Sequence, residues 1–310
     1  MSAKPKVLIC DQMDDKSIEA MKAFFDVDVK IGQTPEQLEA NIGPYNAVVV
    51  RSATKVRKPA IDAAANAGNL RVIIRGGVGI DNIDHEYAKG KGIETRNTPT
   101  ASTISVAELA FGMMLACARQ IGIGTVSMKN GQWLKKELKG VELYGKRLGI
   151  IGYGRIGREI AMRATAFGMD VCAHDKYFDM CPVSGKEMEN LDDILAKSDF
   201  VTLHIPFDPS VGPTIGKHEF SVMKKGMILV NCARGGTIDE AALLEALNDG
   251  TVFACGLDVF AKEPPEFPNE LINHPKVVTT PHIGASTKEA GQKVGGAVIE
   301  ELKSALLGKA

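Results

Sequence analysis

An α/β chain folded as two doubly wound parallel sheets is the class that the sequence predicts, on three observations. Short β-branched runs alternate with helix-like segments from Lys6 to Thr95. The alternation restarts at Lys146, where an apolar run leads into Gly152-x-Gly154-x-x-Gly157. The length of 310 residues exceeds one typical small domain and suits two, each able to bury a core. Alternating β and α segments build an open, mostly parallel sheet. The runs lack strict polar alternation, as expected of strands covered by helices on both faces.

In order, Val7-Leu-Ile-Cys10 predicts a strand followed by a helix over 15–25. Ala47-Val-Val-Val50 predicts a strand with a helix over 59–67, and Arg71-Val-Ile-Ile74 one with a helix over 84–89. The loop Arg75-Gly-Gly-Val-Gly-Ile-Asp-Asn82 either exposes consecutive backbone N–H groups to an anion or makes a plain strand-to-helix connection. Asn97-Thr-Pro99 breaks the pattern and marks a domain boundary, before an apolar helix over 102–118. That window is too short to span a membrane and carries Glu108, so it reads as a helix buried in a core or a subunit interface. Residues 120–145 mix Gly and Lys with the only tryptophan, Trp133, which suits an extended arm packing on a partner.

Beyond the glycine motif, strands are expected at 170–175, 200–204, 227–231, 252–259 and 277–280. Thr237-x-x-Glu240 fits a capping box for a helix over 239–248. The closing segment, 286–307, is helical in pattern and able to cross back to the first unit.

Composition narrows the function. The net charge is −1 with charges dispersed, so nothing suggests a nucleic-acid or membrane partner, while a small anionic ligand stays open. Cys10, Cys117, Cys172, Cys181, Cys232 and Cys255 form no CxxC pair, which suits reduced thiols and no metal site. The short apolar run after the N-terminus is no signal-peptide core, so a cytoplasmic protein is expected.

In the glycine motif, Gly152 allows a tight turn, Gly154 lets backbone approach a pyrophosphate and Gly157 lets helix pack on strand. The helix N-terminus behind them offers unpaired N–H groups to phosphate. Asp175 closes the next strand 18 residues after Gly157, placed to accept hydrogen bonds from ribose hydroxyls and to repel a 2′-phosphate. NAD is therefore expected over NADP, a preference tempered by Lys176. The plain alternative is a Gly-rich turn of an ordinary α/β protein.

Three more residues follow strand ends: Arg234, Glu263 and His282. Parallel strands deliver these ends to the side where open α/β sheets bind ligands. A guanidinium clamps a carboxylate, an imidazole exchanges a proton near neutral pH, and a carboxylate orients the ring. Such a set suits a 2-hydroxy or 2-oxo acid. Each also has a plain reading, as ion pair, loop acid and turn histidine; beside a dinucleotide motif their conjunction favours the site. His204 ends a strand on the same side, with a structural role equally open.

The segments Gly152-Tyr-Gly-Arg-Ile-Gly157, Asn231-Cys-Ala-Arg-Gly-Gly236, Leu257-Asp-Val-Phe-Ala-Lys-Glu-Pro264 and Pro281-His-Ile-Gly-Ala-Ser-Thr287 closely resemble the D-isomer-specific 2-hydroxyacid dehydrogenases, over nearly the whole chain. Within that family Val50-Arg-Ser-Ala-Thr-Lys55, Gly77-Val-Gly-Ile-Asp-Asn82 and His282-Ile-Gly-Ala-Ser-Thr-Lys-Glu-Ala290 are most similar to the D-3-phosphoglycerate dehydrogenases. The resemblance implies Arg234, Glu263 and His282 as the catalytic set, and cofactor contacts at Gly152, Gly154, Arg155, Ile156, Gly157, Asp175, Cys232 and Asp258. It implies substrate-carboxylate contacts from the backbone of Val78 and Gly79. It also implies a Rossmann domain over 99–285, with a dimerisation helix and arm over 100–145. This domain is inserted into a flavodoxin-like substrate domain made of 1–98 and 286–310, and the chain is expected to form a homodimer.

A phosphorylated substrate needs a cation, and the family pattern points to Arg51, with Lys135 or Lys136 of a partner's arm as helpers. The plain reading of Arg51 is a strand-end ion pair. Because the sequence stops at Ala310, no C-terminal regulatory domain and no feedback inhibition through one are expected. Ser210-Val-Gly-Pro-Thr-Ile215 departs from the family pattern in what reads as a surface loop. The rival readings are a hydroxypyruvate, glyoxylate or D-lactate reductase, an NAD-sensing scaffold, and last a methyltransferase, which leaves the Arg-Glu-His set without a role.

Overall fold

Runs such as Ala47-Val-Val-Val50 have no polar face to show to water, and they become strands enclosed by helices on both sides. The structure, a computed structural model, describes residues 3–308. The chain divides into two units, Met1–Ser102 with Ala285–Ala310, and Thr103–Gly284.

The first unit runs β1 (Lys6–Ile9), α1 (Asp15–Lys22), β2 (Asp26–Val29), α2 (Pro35–Asn41), β3 (Ala47–Val50), α3 (Lys58–Ala67), β4 (Val72–Arg75), α4 (His85–Gly90) and β5 (Glu94–Asn97). Its sheet is parallel, in the order β2-β1-β3-β4-β5. This is the flavodoxin-like winding, whose switch point lies between the first and third strands. Leu8, Val48 and Ile73 point to one face, against Leu38 and Ile61. Val7, Val49 and Val72 point to the other, against Met21 and the closing helix. Caps end the helices locally: Thr34 and Gln37 form a capping box on α2, and Gly68, in the left-handed region, stops α3.

The second unit opens with α5 (Thr103–Ala118) and α6 (Ile121–Lys129). It continues through β6 (Arg147–Ile151), α7 (Arg155–Ala166), β7 (Asp170–His174), β8 (Met180–Cys181), β9 (Lys186–Glu187) and α8 (Leu191–Lys197). It closes with β10 (Phe200–Leu203), α9 (Lys217–Val222), β11 (Met227–Asn231), α10 (Glu240–Asp249), β12 (Val252–Leu257), α11 (Glu270–Asn273) and β13 (Val277–Thr279). The main sheet is parallel, in the order β13-β12-β11-β10-β6-β7, with α5 and α7 on one face and α8 and α10 on the other. It is a Rossmann-type winding with its switch point between β6 and β10. Where a further strand would flank β7, the chain makes the short antiparallel β8–β9 hairpin, and Glu189 donates one backbone hydrogen bond to Ala173. Finally α12 (Lys288–Leu306), capped by Thr287, returns to the first unit and packs Val294, Val298 and Leu302 against its sheet.

Several expectations need correction. The segment after residue 120 is not extended at first: Ile121–Lys129 is helical, and only the residues beyond it are irregular. Gln120, at φ 51°, breaks α5 from α6, and the two helices meet at 66°. The α10 cap is Asp239, whose carboxylate accepts Ala241 and Ala242 N–H, while Thr237 is buried and bonds the Arg234 carbonyl. The strands β2, β5, β8 and β9 and the helices α2, α8, α9 and α11 carried no expectation; in β2 the charged, exposed pattern Asp26-Val-Asp-Val29 belongs to a sheet edge. Helix α5 is largely buried inside its own unit, and no single helix among the described residues is long and apolar enough to cross a membrane.

Candidate active site

The glycine loop lies at the switch point of the second sheet. Gly152 has φ 94°, and a Cβ there would lie 2.5 Å from the His204 carbonyl oxygen. A Cβ on Gly157 would lie 2.3 Å from Gly152 O, so the helix start presses on the turn. Gly154, by contrast, is exposed and faces open space, and as N-cap of α7 it offers no side-chain acceptor to the first-turn N–H groups. Unfilled space in front of uncapped helix donors is the cradle that a pyrophosphate requires. Arg155 is exposed at the first helical position, and Ile156 is half-buried against the core. Asp175 accepts Tyr153 N–H (2.7 Å) and Tyr177 N–H (2.8 Å), one on each oxygen, which fixes its carboxylate beside the loop. The residues present therefore fit a dinucleotide.

Arg234, Glu263 and His282 come together at the C-terminal edge of β11, β12 and β13. His282 Nδ1 lies 2.6 Å from Glu263 Oε2, and Glu263 Oε1 accepts Phe260 N–H at 3.1 Å. Burial works to raise the Glu263 pKa, but the hydrogen bonds from His282 and Phe260 and the charges of His282 and Arg234 outweigh it and hold it below the usual value. An ionised carboxylate only accepts, so Nδ1 carries the hydrogen of this pair and Nε2 is the nitrogen left for other chemistry. The Arg234 turn reaches the Glu263 loop because Gly235 has no side chain: a Cβ there would lie 1.8 Å from Phe260 O. Arg234 Nη1 donates to Ala233 O at 2.6 Å.

The supporting roles of two residues beneath these three, Asn231 and Asp258, went unread in the sequence, where Asp258 was expected only as a cofactor contact. Asn231, 2 % exposed, donates to Arg234 O (3.0 Å) and accepts Ala233 N–H (3.0 Å). Asp258 organises the histidine turn: its carboxylate accepts Thr280 Oγ1 (2.6 Å), Ile283 N–H (2.8 Å) and Gly284 N–H (2.8 Å), and its carbonyl accepts His282 N–H (2.9 Å). His282 is thereby held at φ 53°, a left-handed conformation that costs a β-carbon residue on the order of 1 kcal/mol. Three of about four carboxylate lone-pair sites are thus used within the fold, leaving Asp258 room for one further bond. The Cys232 thiol is buried 3.6 Å from Met113 Sδ, so a cofactor contact from this residue falls to its backbone.

In the first unit, Arg51 follows β3, and the Gly76-Gly77-Val78-Gly79 loop follows β4, at one sheet edge. Gly77 O accepts Thr98 N–H at 3.0 Å, and Val78 O accepts the Asn97 side-chain amide. A planar trans peptide directs N–H opposite to C=O, so pinning these carbonyls turns the Val78 and Gly79 N–H groups the other way. Neither N–H donates to another described residue. Arg51 leans over the same loop, its Cγ 3.5 Å from where a Gly76 Cβ would lie, and Nη1 donates to Gln12 O at 3.4 Å. Among the described residues no group of three or more His, Cys, Asp or Glu side chains is placed to hold a metal.

Residues 111–284 match the family described as D-isomer specific 2-hydroxyacid dehydrogenase, NAD binding domain. A D-3-phosphoglycerate dehydrogenase of Methanocaldococcus jannaschii is 46% identical over 98% of this chain, which spans 58% of that protein's length. A hydroxypyruvate reductase of Thermotoga maritima is 47% identical over 97% of this chain and 98% of its own. The crystal structure of a glyoxylate reductase from Paecilomyes thermophila superposes with a TM-score of 0.88 at 32% identity, covering 98% of this chain and 96% of that one. The fold, the glycine loop and these likenesses converge, and the chain belongs to the D-isomer specific 2-hydroxyacid dehydrogenase family, with an NAD-binding domain in its second unit.

Proposed function

We propose that the protein oxidises D-3-phosphoglycerate to 3-phosphohydroxypyruvate, the first step of serine synthesis, with His282 as the base. The carrying observation is the 2.6 Å His282–Glu263 pair beside Arg234, which leaves Nε2 to take up a proton. Bound NAD supplies the acceptor for the hydrogen on C2. Neutral His282 removes the C2 hydroxyl proton on Nε2, while Glu263 accepts from Nδ1–H and offsets the positive charge that forms on the ring. In the reverse direction the protonated ring donates from Nε2 to the carbonyl oxygen.

Arg234 holds the substrate carboxylate and polarises the C2–O bond; in the first unit, the Val78 and Gly79 N–H groups are donors suited to a carboxylate. Arg51 takes the phosphate, for which a guanidinium fork is well matched. For the cofactor, the first-turn N–H groups of α7 would take the pyrophosphate and Asp175 the adenosine ribose, with further contacts from Asp258 and the Cys232 backbone. The substrate domain is assigned to the first unit and the dimer contact to α6 and the residues after it, with Lys135 or Lys136 reaching a partner's substrate. The free, buried cysteines suit the reducing cytoplasm, which cell fractionation would check.

A second reading, reduction of hydroxypyruvate or glyoxylate, is favoured by the Thermotoga relative, which matches over nearly all of its own length. Initial rates separate the two. Wild-type protein is expected to use 3-phosphohydroxypyruvate with NADH, and D-3-phosphoglycerate with NAD, more efficiently than the unphosphorylated acids. Arg51→Ala is expected to raise KM for the phosphorylated substrates by about tenfold or more, the scale of one lost charge-assisted contact. It should change KM for glyoxylate little. Equal changes for both would remove Arg51 from the phosphate and favour the general reductase.

A further inference from the structure

The loop that carries Arg51 is gripped from both sides. On one side stands Asp11, 6 % exposed just past β1, at the switch point of the first sheet. Its carboxylate accepts Arg51 N–H (2.5 Å), Thr54 N–H (3.1 and 3.2 Å) and Thr54 Oγ1–H (2.6 Å). On the other side stands Asn82, 8 % exposed, whose Nδ2 donates to Arg51 O (2.8 Å) and Thr54 O (2.7 Å). The peptide groups before and after the Arg51 Cα are therefore both fixed, and with them the direction of its Cα–Cβ bond. The root of the Arg51 side chain has one orientation.

Asn82 also closes the loop whose Val78 and Gly79 N–H groups are held outward. Its carbonyl accepts Val56 N–H at 2.9 Å, and a parallel bridge joins Val56 to Ile83. Gly76 N–H, at the start of that loop, donates to Val50 O at 2.8 Å, immediately before Arg51. Thus the Arg51 loop and the 76–82 loop are tied at both ends, by one carboxamide and by backbone pairing. Buried hydrogen-bonded networks of this kind hold geometry because any partner left alone carries the full cost of its desolvation.

We infer that Asp11 and Asn82 are positioning residues that fix the spacing between the phosphate cation and the carboxylate donors. This makes the paired loops a ruler for a three-carbon acid that is ionised at both ends. The inference rests on the reading of Arg51 as the phosphate contact, and it adds the physical reason for selectivity. A substrate without the distal phosphate gains nothing from the fixed spacing. Loosening the clamp therefore penalises the phosphorylated substrate selectively.

The test compares kcat/KM for 3-phosphohydroxypyruvate with kcat/KM for hydroxypyruvate, using NADH, in wild type, Arg51→Ala, Asp11→Asn, Asn82→Ala, Thr54→Val and Thr54→Ser. Asn82→Ala takes the side-chain donor from the Arg51 and Thr54 carbonyls, the latter buried, and is the variant most exposed to misfolding. Thr54→Val removes a single hydroxyl and keeps the measurement open. Expected in Asp11→Asn and Thr54→Val is a fall of about tenfold in the phosphorylated-to-unphosphorylated ratio, carried by KM rather than kcat, with NADH affinity unchanged. Thr54→Ser, which keeps the hydroxyl, should restore it. If Arg51→Ala lowers the ratio while Asp11→Asn and Thr54→Val fold and leave it intact, or lower both substrates equally, the clamp is not a ruler. If wild type shows no preference and Arg51→Ala changes nothing, the phosphate reading itself fails and takes the ruler with it.

Discussion

His282 has one nitrogen for chemistry, because Glu263 occupies the other at 2.6 Å. Replacing the imidazole should therefore stop proton transfer without touching the glycine loop or Asp175. His282→Ala is expected to lower kcat by roughly a hundredfold or more, the usual scale of a lost general acid or base. NAD affinity, measured by fluorescence titration, should stay within about twofold of wild type. Turnover close to wild type would show that another group moves the proton. The histidine and its acid were legible in sequence because both follow strand ends, where parallel sheets collect functional side chains. What holds them was not legible: Asp258, read as a cofactor contact, spends most of its carboxylate on the turn that keeps His282 at a positive φ. A hub of backbone hydrogen bonds leaves no periodicity, and only a three-dimensional fold reveals it.

At the scale of elements, the apolar central strands were the most readable features, while their order emerges only in the folded sheets. Runs such as Ile150-Ile151 and Ile73-Ile74 are apolar on both faces, and the three glycines punctuate a strand-to-helix turn unmistakably. The misreadings fall where composition is ambiguous: Gly122 and Gly124 made α6 look extended, since glycine weakens helix propensity by about 1 kcal/mol, yet the helix forms. The surface from α6 onward carries an apolar set that its own unit leaves open. Val126 is 58 % exposed, Met128 58 %, Trp133 74 % and Tyr144 77 %. Several large exposed apolar side chains within one stretch of chain are the kind of feature that association covers, and they support the proposed homodimer. Val126→Glu together with Trp133→Ala is expected to shift the mass seen by light scattering from about twice 33.2 kDa to 33.2 kDa. A wild-type mass of 33.2 kDa would place this surface outside any dimer.

For the whole molecule, the response of stability to pH follows from groups buried in one charge state. His204 is the strongest case: Nε2 lies 2.8 Å from Thr202 Oγ1, and Nδ1 is buried without a hydrogen bond among the described residues. Burial drives its pKa down to about 3, against about 6.5 for an exposed imidazole. The sign follows from proton counting. Between those two values the unfolded chain binds a proton that the folded chain refuses, so acid favours unfolding. The contribution is therefore intact above pH ~6.5 and is lost progressively as pH falls toward 3. Glu263, whose pKa is depressed by its partners, acts in the same direction at the acid end of the range, where its carboxylate must protonate. His204→Gln offers an amide in place of Nε2 and removes the titrating ring. Thermal melts of wild type and variant are expected to show parallel Tm values above pH ~7 and to converge or cross as pH falls through 6 to 4, wild type falling more steeply. Curves that stay parallel throughout would mean that the ring is protonated in the native state, and the acid sensitivity would then have to come from the carboxylates alone.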